Sequence, residues 1–488
     1  MRIIIALALM ATTTDALVGL GVDLGTSGVR VCVVERGARG VSILSEGATR
    51  WTDDEGREPA VWLRALRETI AKCDDAAVAR VGRVAVSGTS ASTLLVDGAT
   101  GAVRRPPMMY SDAVGGDAGA AALGAIDAHA PPGHTCRGAT SALAKLLAWA
   151  ADAPLGAQDV AAHQADYVAA ALCAGVDGEQ LAAPPALRSD WHNALKMGFD
   201  VVELRWPAWL LEGAMPAVGA APAALERLGV LRPGVADERR AVSEAAAAHW
   251  RLPEGAAVVG GTTDSIAAFL ACSCDAAAGV VRVEPGRAVT SLGSTTALKL
   301  VSDVKIDDAA TGVYSHRLDP RGTRIFNPTS ISLFDFGTGL DDAWLVGGAS
   351  NAGCKVLRDF AFGDDELAAL SLTLDAARTN DAGIYPLSKT GERFPFNDAA
   401  KEPKLPGGDD REAVLHDLLV GIADVERLGY AALADRGATP LRSVQTAGGG
   451  AKNPQWRALR EAMLGVPVVG AENTDAAFGA ALLALREA

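Results

Sequence analysis

Two short stretches set Leu-Gly and small hydroxyl residues between β-prone flanks. The first reads Gly21-Val22-Asp23-Leu24-Gly25-Thr26-Ser27-Gly28, and the second Leu292-Gly293-Ser294-Thr295-Thr296. A β-hairpin turned in this way presents backbone N–H and hydroxyl donors to a phosphate. Its duplication predicts two related domains that grip one polyphosphate from opposite sides. Asp23 adds a carboxylate at the end of the first predicted strand. A carboxylate beside phosphate donors calls for a cation between them, and Mg²⁺ held by carboxylate, waters and phosphate oxygens meets that need. Taken alone, the first turn reads equally well as a surface hairpin with an Asx turn.

Two further glycine turns carry chemistry. Gly260-Gly261-Thr262-Thr263-Asp264-Ser265 opens an apolar helix, Ile266–Leu270. Asp264 taken alone reads first as a helix N-cap, and the same residue can also serve as a general base that takes a proton from a substrate hydroxyl. Later, Thr446-Ala447-Gly448-Gly449-Gly450 runs on to Asn453-Pro454-Gln455-Trp456. Pro454 suits the first turn of a helix and Asn453 its cap. Three successive glycines are entropically costly unless something must come close. They predict a flat backbone against which a planar base lies, with Asn453 and Trp456 near its edge.

These turns need elements to hold them. Leu17 to Glu35 reads as two strands around the first turn, Val41 to Glu46 as a third, Glu58 to Cys73 as a helix, and Val81 to Ser87 as a strand ending at Gly88-Thr89-Ser90. A hairpin, third strand, helix and further strand is not the regular βαβ alternation of a dinucleotide fold. Ala113 to Ala174 reads as mostly helical, Ala183 to Asp200 as a loop, and Ala221 to Leu228 and Val242 to Ala248 as helices. The second half repeats the plan. Strands are expected near Val280 to Glu284 and Ala288 to Val301, helices at Asp365 to Leu372 and Asp410 to Arg436, and a strand at Val444 to Ala447. Helices at Pro454 to Leu464 and Asp475 to Arg486 close the chain. The boundary between the halves is expected between Gly255 and Gly279.

A chain of 488 residues is too long for one ordinary domain, and 49% hydrophobic residues supply sizeable cores. The net charge of −14, without a Lys/Arg-rich block, disfavours nucleic acid and anionic membrane as partners. Seven scattered cysteines read as reduced thiols in or near cores rather than as disulfides or a zinc site. No apolar run is long enough for a membrane-spanning helix. Residues 1–16 have the shape of a targeting or extension segment, with an apolar run from Ile3 to Met10.

Together these motifs resemble the FGGY carbohydrate kinases, of the sugar kinase, actin and chaperone ATPase superfamily, from about Val18 to Leu485. The first and second glycine turns look like the family's two phosphate motifs, Gly261–Asp264 like its catalytic-aspartate motif, and Gly448–Trp456 like its adenosine motif. Gly391-Glu392-Arg393-Phe394-Pro395-Phe396 is similar to its Gly-Glu-Arg-x-Pro segment, and Asp475–Ala484 to its closing small-residue helix. Val22–Gly28, Gly88–Ser90, Gly261–Ser265 and Leu345–Asn351 resemble the D-ribulokinase-type, xylulokinase-like subgroup of plants and cyanobacteria. One departure stands out. Many members carry Trp-x-Asp-x-Arg after the fourth strand, whereas this chain has Tyr110-Ser111-Asp112-Ala113-Val114. Thr140 to Trp149, with Lys145, matches the first family signature only in part.

The resemblance implies an α/β protein of two ribonuclease-H-like domains with a deep cleft. Residues 17–262 would bind sugar and 263–488 ATP, with the last helix packing back on the first domain. It implies transfer of the ATP γ-phosphate to the terminal hydroxyl of a ketopentose, D-ribulose first and D-xylulose second. An ATP-binding switch of the actin or chaperone type is the reading from another class. Asp264 would be the base, with Asp23 and Thr26 also catalytic. Asp23 and Asp264 would contact Mg²⁺, and Asp23, Ser90 and Asp264 the sugar. Thr26, Ser27, Gly28, Gly293, Ser294, Thr295, Gly449, Gly450, Asn453 and Trp456 would hold ATP. The expected state is a monomer or homodimer in the cytoplasm, with a plastid or a signal-bearing N-terminus as alternatives.

Overall fold

Gly19, Gly21 and Asp23 share one face of the first strand by its two-residue period, and their small size decides what can cover that face. The computed structural model describes residues 16–37, 40–182, 187–319, 334–335 and 343–486. The apolar run Ile3–Met10 lies outside them. The first sheet contains β1 (Leu17–Gly25), β2 (Gly28–Gly37), β3 (Gly40–Arg50) and, after helix α1 (Pro59–Ala71), β4 (Arg83–Gly88). β1 pairs antiparallel with β2 and parallel with β4, and β2 pairs antiparallel with β3. The short segments Ala257–Val258 and Thr262–Thr263 extend the sheet beside β4. Val18, Leu20, Val22 and Leu24 of β1 are buried in the same core as Trp62 and Leu66 of α1.

A subsidiary three-stranded sheet follows, made of β5 (Thr93–Asp97), β6 (Val103–Met108) and β7 (Asp159–His163), in the order β6-β5-β7. Around it lie α2 (Gly116–His129), α3 (Ala142–Asp152) and α4 (Gln164–Ala174). Two expectations are corrected here. The stretch from Ala113 to Ala174 is mostly helical and breaks at Pro131-Pro132-Gly133 as expected, but β7 adds a strand within it. Ala183 to Asp200 is not a plain loop, since Arg188–Asp190 is a strand and Trp191–Ala194 a helical turn capped by the Asp190 carboxylate. Both strands are short and almost wholly buried, and so carry no amphipathic period to read.

Helix α5 (Asp264–Cys272) leads into the second sheet. Its strands are β8 (Arg287–Leu292), β9 (Thr296–Ser302), β10 (Tyr314–Asp319), β11 (Ala343–Ser350), β12 (Ser443–Ala447) and β13 (Val468–Gly470), in the order β10-β11-β9-β8-β12-β13. β8 pairs antiparallel with β9 and parallel with β12, which repeats the relation of β1 to β2 and β4. Helices α6 (Arg411–Asp435), α7 (Pro454–Leu464) and α8 (Ala476–Ala484) complete the chain.

α5 and α8 fill the space between the sheets. A Cβ on Gly21 would lie 1.9 Å from the Ala477 carbonyl oxygen, and one on Gly479 would lie 1.8 Å from that of Ala267. Backbone therefore touches backbone from β1 to α8 and from α8 to α5. One buried cluster unites Cys32, Val34 and Ala85 of the first sheet, both helices, and Val289, Val301, Leu345 and Ala447 of the second. The two halves thus share a core.

Gly21→Ala is expected to destabilise the protein by about 3 kcal/mol, since neither backbone can yield without parting the sheets. Gly124→Ala is the control. Gly124 lies within α2 with open space around it, so the change removes a weak helix former at no steric cost. A thermal melt that falls by several degrees for the first and not for the second is the expected result.

Candidate active site

The hairpin turn between β1 and β2 is Thr26-Ser27, with both residues exposed. Gly28 has φ 155°, and a Cβ there would meet the Thr49 carbonyl oxygen at 2.4 Å. The indole N–H of Trp51 donates to the Thr26 carbonyl at 2.8 Å, which holds the turn from below. Asp23, separated from the turn by Leu24 and Gly25, is 2% exposed. Its Oδ1 accepts from the Ser87 hydroxyl at 2.9 Å, and its Oδ2 lies 3.3 Å from Arg30 Nη1. Arg30 also reaches Asp475, the N-cap of α8, at 3.8 Å. Burial, followed by the charge of Asp264, pushes the Asp23 carboxyl up to about 7, against Ser87 and Arg30, which pull it down.

Asp264 is the first residue of α5, half-buried, with Oδ1 accepting from the Ser265 N–H at 2.6 Å. The N-cap position belongs to Thr263, so the cap expected at Asp264 falls one residue earlier. Burial pushes the Asp264 carboxyl up, while the Ser265 N–H, Lys196 and Lys299 draw it down. The structure therefore brings Asp23 and Asp264 together, with a lysine from each half of the chain close to the second. His192 lies alongside. Its Nε2–H donates to the Arg317 carbonyl at 2.7 Å, so its Nδ1 accepts from the Thr262 hydroxyl at 2.8 Å. Burial pushes His192 down to about 3, which keeps this strut neutral.

The second turn, Gly293-Ser294-Thr295, is exposed between β8 and β9. The Cys354 N–H donates to the Gly293 carbonyl at 2.8 Å, and Arg358 Nη2 donates to the Ser294 hydroxyl at 2.9 Å. The three glycines after β12 have separate reasons. A Cβ on Gly448 would lie 2.4 Å from the Leu292 carbonyl oxygen, and one on Gly450 would lie 2.6 Å from the Trp456 ring, whereas Gly449 faces open space. Only Gly449 leaves room for a base. Trp456 is 1% exposed, with its indole N–H donated to the Leu419 carbonyl at 2.9 Å. It packs beneath Gly450 instead of reaching a ligand edge. Asn453 caps α7 through the Trp456 N–H at 2.9 Å and donates to the Ser371 hydroxyl at 2.7 Å. Behind these turns, buried Arg460 forks onto Glu426 at 2.6 and 2.7 Å and reaches the Thr446 hydroxyl at 2.8 Å. Glu426 also accepts from Thr290 at 2.5 Å. This fully bonded network ties β8, β12, α6 and α7 together.

On the side of the first sheet, Ser90 Oγ is buried without a partner among the described residues, as is Gln164 Nε2. Nearby, Gln164 Oε1 accepts from the Thr89 hydroxyl at 3.1 Å. Asp112 pairs with both guanidinium nitrogens of Arg57, at 2.7 and 2.9 Å. Lys145 is a brace, donating to the carbonyls of Ala91 and Met109 at 2.7 and 2.6 Å. The Gly-Glu-Arg segment is also structural: Glu392 accepts from the Ser350 and Tyr385 hydroxyls at 2.6 and 2.8 Å. Arg57, Lys196 and Arg358 carry no signal in one sequence, because each is distant along the chain from the groups it meets in space, and Lys299, although it follows the second glycine turn, reads only as a strand residue.

All seven cysteines are free thiols, six of them buried. Among the described residues, no three His, Cys, Asp or Glu side chains form a metal cluster, and no helix is long and apolar enough to cross a membrane. The carboxylates of Asp23 and Asp264 fit a different kind of cation site. Mg²⁺ keeps most of its waters and needs only one or two carboxylates besides phosphate oxygens. The mutual charge that raises the Asp23 carboxyl is the strain such a cation relieves.

Two sheets of one plan, each with a glycine turn at its hairpin tip and a helix pair between, define a two-domain α/β protein of the actin-like ATPase fold. Residues 338–488 match the FGGY family of carbohydrate kinases, C-terminal domain. Carbohydrate kinases of this family are ATP-dependent phosphotransferases that act on sugar hydroxyls. Three solved structures share the whole architecture. A xylulose kinase from Rhodospirillum rubrum is 22% identical with a TM-score of 0.70, over 96% of this chain and 89% of its own. A gluconate kinase from Lactobacillus acidophilus is 14% identical with a TM-score of 0.71, over 96% and 89%. A glycerol kinase from Plasmodium falciparum, with ADP, is 12% identical with a TM-score of 0.70, again over 96% and 89%.

The raised Asp23 carboxyl has a consequence for stability. The folded protein holds that proton more tightly than the unfolded chain, whose value is near 3.8. The stabilisation is complete below that value and lost as pH rises through about 7. Asp23→Asn is therefore expected to be more stable than the parent at pH 8 in metal-free buffer, by at most about 4 kcal/mol, with the advantage gone near pH 4. Thermal melts at the two pH values measure it, and an equal or lower melting temperature for the variant at pH 8 would contradict it.

Proposed function

We propose that this protein is an ATP-dependent kinase of a ketopentose, with D-ribulose as the first-choice acceptor and D-ribulose 5-phosphate as product. The observation that carries this reading is the placement of Asp264, half-buried at the start of α5 and facing Asp23 between the two sheets. Residues 17–262 would hold the sugar and 263–488 the nucleotide. Support for a pentulose comes from the neighbour named as a xylulose kinase and from the ribulokinase-like spelling of the turns. The same neighbour favours D-xylulose as the second acceptor.

In this reading the terminal sugar hydroxyl lies against Asp264, with Ser90 and Asp23 as further sugar contacts. Asp264 takes the hydroxyl proton as the sugar oxygen bonds to the γ-phosphorus. The bond from that phosphorus to its bridging oxygen breaks, and its electron pair leaves with ADP. Thr26, Ser27 and Gly28 on one side, and Gly293, Ser294 and Thr295 on the other, donate to phosphate oxygens. Mg²⁺, when bound to Asp23 and Asp264 with the nucleotide, supplies charge neutralisation at the phosphates. The adenine would lie over Gly449, with Gly450 packed on Trp456 behind it and Asn453 fixing the helix beneath. Catalysis here is positioning and electrostatics. Because it would consume ATP, the enzyme is read as cytoplasmic, with a plastid as the alternative.

Coupled ADP release over a panel of ketopentoses, polyols and hexoses tests the acceptor. D-Ribulose is expected to give the highest kcat/KM, and absence of turnover with every pentulose would sink the proposal. Asp264→Ala is expected to lose at least about 10³-fold in kcat while ATP binding survives. Gly449→Trp should raise the KM for ATP about tenfold or more and leave that for sugar within about twofold. The opposite pattern would displace the base from this loop.

A further inference from the structure

Lys299 and Lys196 are two cations that the mechanism above does not use. Lys299 lies on β9 between Val289 of β8 and Gly347 of β11. On this face Val289, Val301, Leu345 and Ala447 are buried against α5 and α8. Lys299, Tyr314 and His316 are the polar break in that face. The Tyr314 ring stands 5.2 Å from His316, and His316 stands 6.1 Å from His192. His192 belongs to the helical turn Trp191–Ala194, and the next turn, Leu195–Met197, carries Lys196. One lysine from each half of the chain thus arrives beside Asp264. Neither makes a hydrogen bond or ion pair among the described residues.

The surroundings are charged as follows. Asp264 faces both lysines from α5, and Asp23 faces Asp264 from β1. Tyr314 adds a phenol near Asp264, with Arg393 beyond it. Neutral His192 and His316 complete the wall, and Arg486 lies near His192. Burial pushes Lys299 down to about 8, against the pull of Asp264 and with a further push from Lys196, and burial likewise lowers Lys196 against Asp264. Two ammonium groups share one carboxylate, which leaves a place for further negative charge.

We propose that Lys196 and Lys299 clamp the phosphoryl group as it arrives on the sugar oxygen and hold the phosphate of the product beside Asp264. This rests on the kinase reading. The sugar oxygen gains its bond to phosphorus, ADP leaves with the bridging oxygen and its electron pair, and the hydroxyl proton passes to Asp264. At that moment Asp264 loses its charge while a phosphate appears beside the lysines, so their counter-ion changes from carboxylate to phosphate. Before transfer, a neutral sugar gains little from them. The clamp therefore acts on transition state and product more than on substrate.

Calorimetry on the full chain tests this with D-ribulose 5-phosphate and D-ribulose as probes. Lys196→Met and Lys299→Met are each expected to weaken the sugar phosphate about tenfold and free D-ribulose less than about twofold. kcat should fall by about 10- to 100-fold with the KM for ATP within about twofold. Lys299→Arg should recover part of the binding. Unchanged affinity for the sugar phosphate in a folded double Met variant would overturn the clamp, as would equal loss of both ligands. A second readout separates this from failure of the kinase reading. Protection of the parent against heat by inorganic phosphate, lost in the double variant, supports the clamp even if no pentulose is turned over. Equal protection of both proteins overturns it.

Discussion

The close approach of α8 to β1 and of α5 to α8, permitted by Gly21 and Gly479, is the constraint on which the site depends. Because β1 alternates, a helix lying on Gly19 and Gly21 must begin next to Asp23. The cap of α8, Asp475, accordingly shares Arg30 with Asp23. Because α5 lies on the other side of α8, its first residue arrives in the same place, and that residue is Asp264. Three carboxylates converge through backbone packing, without any attraction among them. The free energy that holds them comes from the apolar core uniting both sheets with the two helices.

That arrangement carries an electrostatic cost that makes it a candidate functional site. The starts of α5 and α8 place partial positive charge near Asp264 and Asp475, an effect of about 0.3–1 kcal/mol each. This is small beside the burial that raises the Asp23 and Asp264 carboxyls. A structural carboxylate in such a position would be expected to have a full ion-pair partner. Glu426 has one in the fork of Arg460, and that pair lies deeper still. The same chain therefore satisfies one buried carboxylate completely and leaves another pair only partly compensated. The difference is what the proposed cation and phosphate would answer.

Much of this was legible in the sequence because it is local. The hairpins around Thr26-Ser27 and Ser294-Thr295, the helix opened by Asp264 and the glycine run before α7 all follow from turn and cap chemistry within about ten residues. What could not be read is what long-range packing decides. Trp456 follows a glycine run at a spacing that suits a ligand edge, yet its large apolar ring is worth more in the core beneath Gly450. Gly448 and Gly450 answer to Leu292 and Trp456, so the run of three reflects two packing demands and one open position. Strand β7 hides within an alanine-rich helical stretch, because a strand buried on both faces has no alternation to betray it. The lysines beside Asp264 come from opposite halves of the chain and meet only when α5 and α8 have joined the sheets.

The absent arginine at the Trp-x-Asp-x-Arg position shows how a missing motif residue can mislead. Asp112 is still met by a guanidinium, but Arg57 supplies it from the segment before α1, in a two-point fork. That fork fixes the Arg57 head group against a carboxylate at the edge of the subsidiary sheet. Beside it, the Ser92 hydroxyl accepts from the Tyr110 N–H at 3.0 Å and lies within 2.5 Å of the Thr89 hydroxyl. The wall that adjoins Ser90 is therefore built from hydroxyls and the Gln164 amide, with its nearest guanidinium already paired. Neutral donors and acceptors of this kind suit the hydroxyls of an uncharged sugar. The free positive charge of Lys196 and Lys299 lies instead beside Asp264, at the end of the site where the proposed reaction would bring the phosphoryl group.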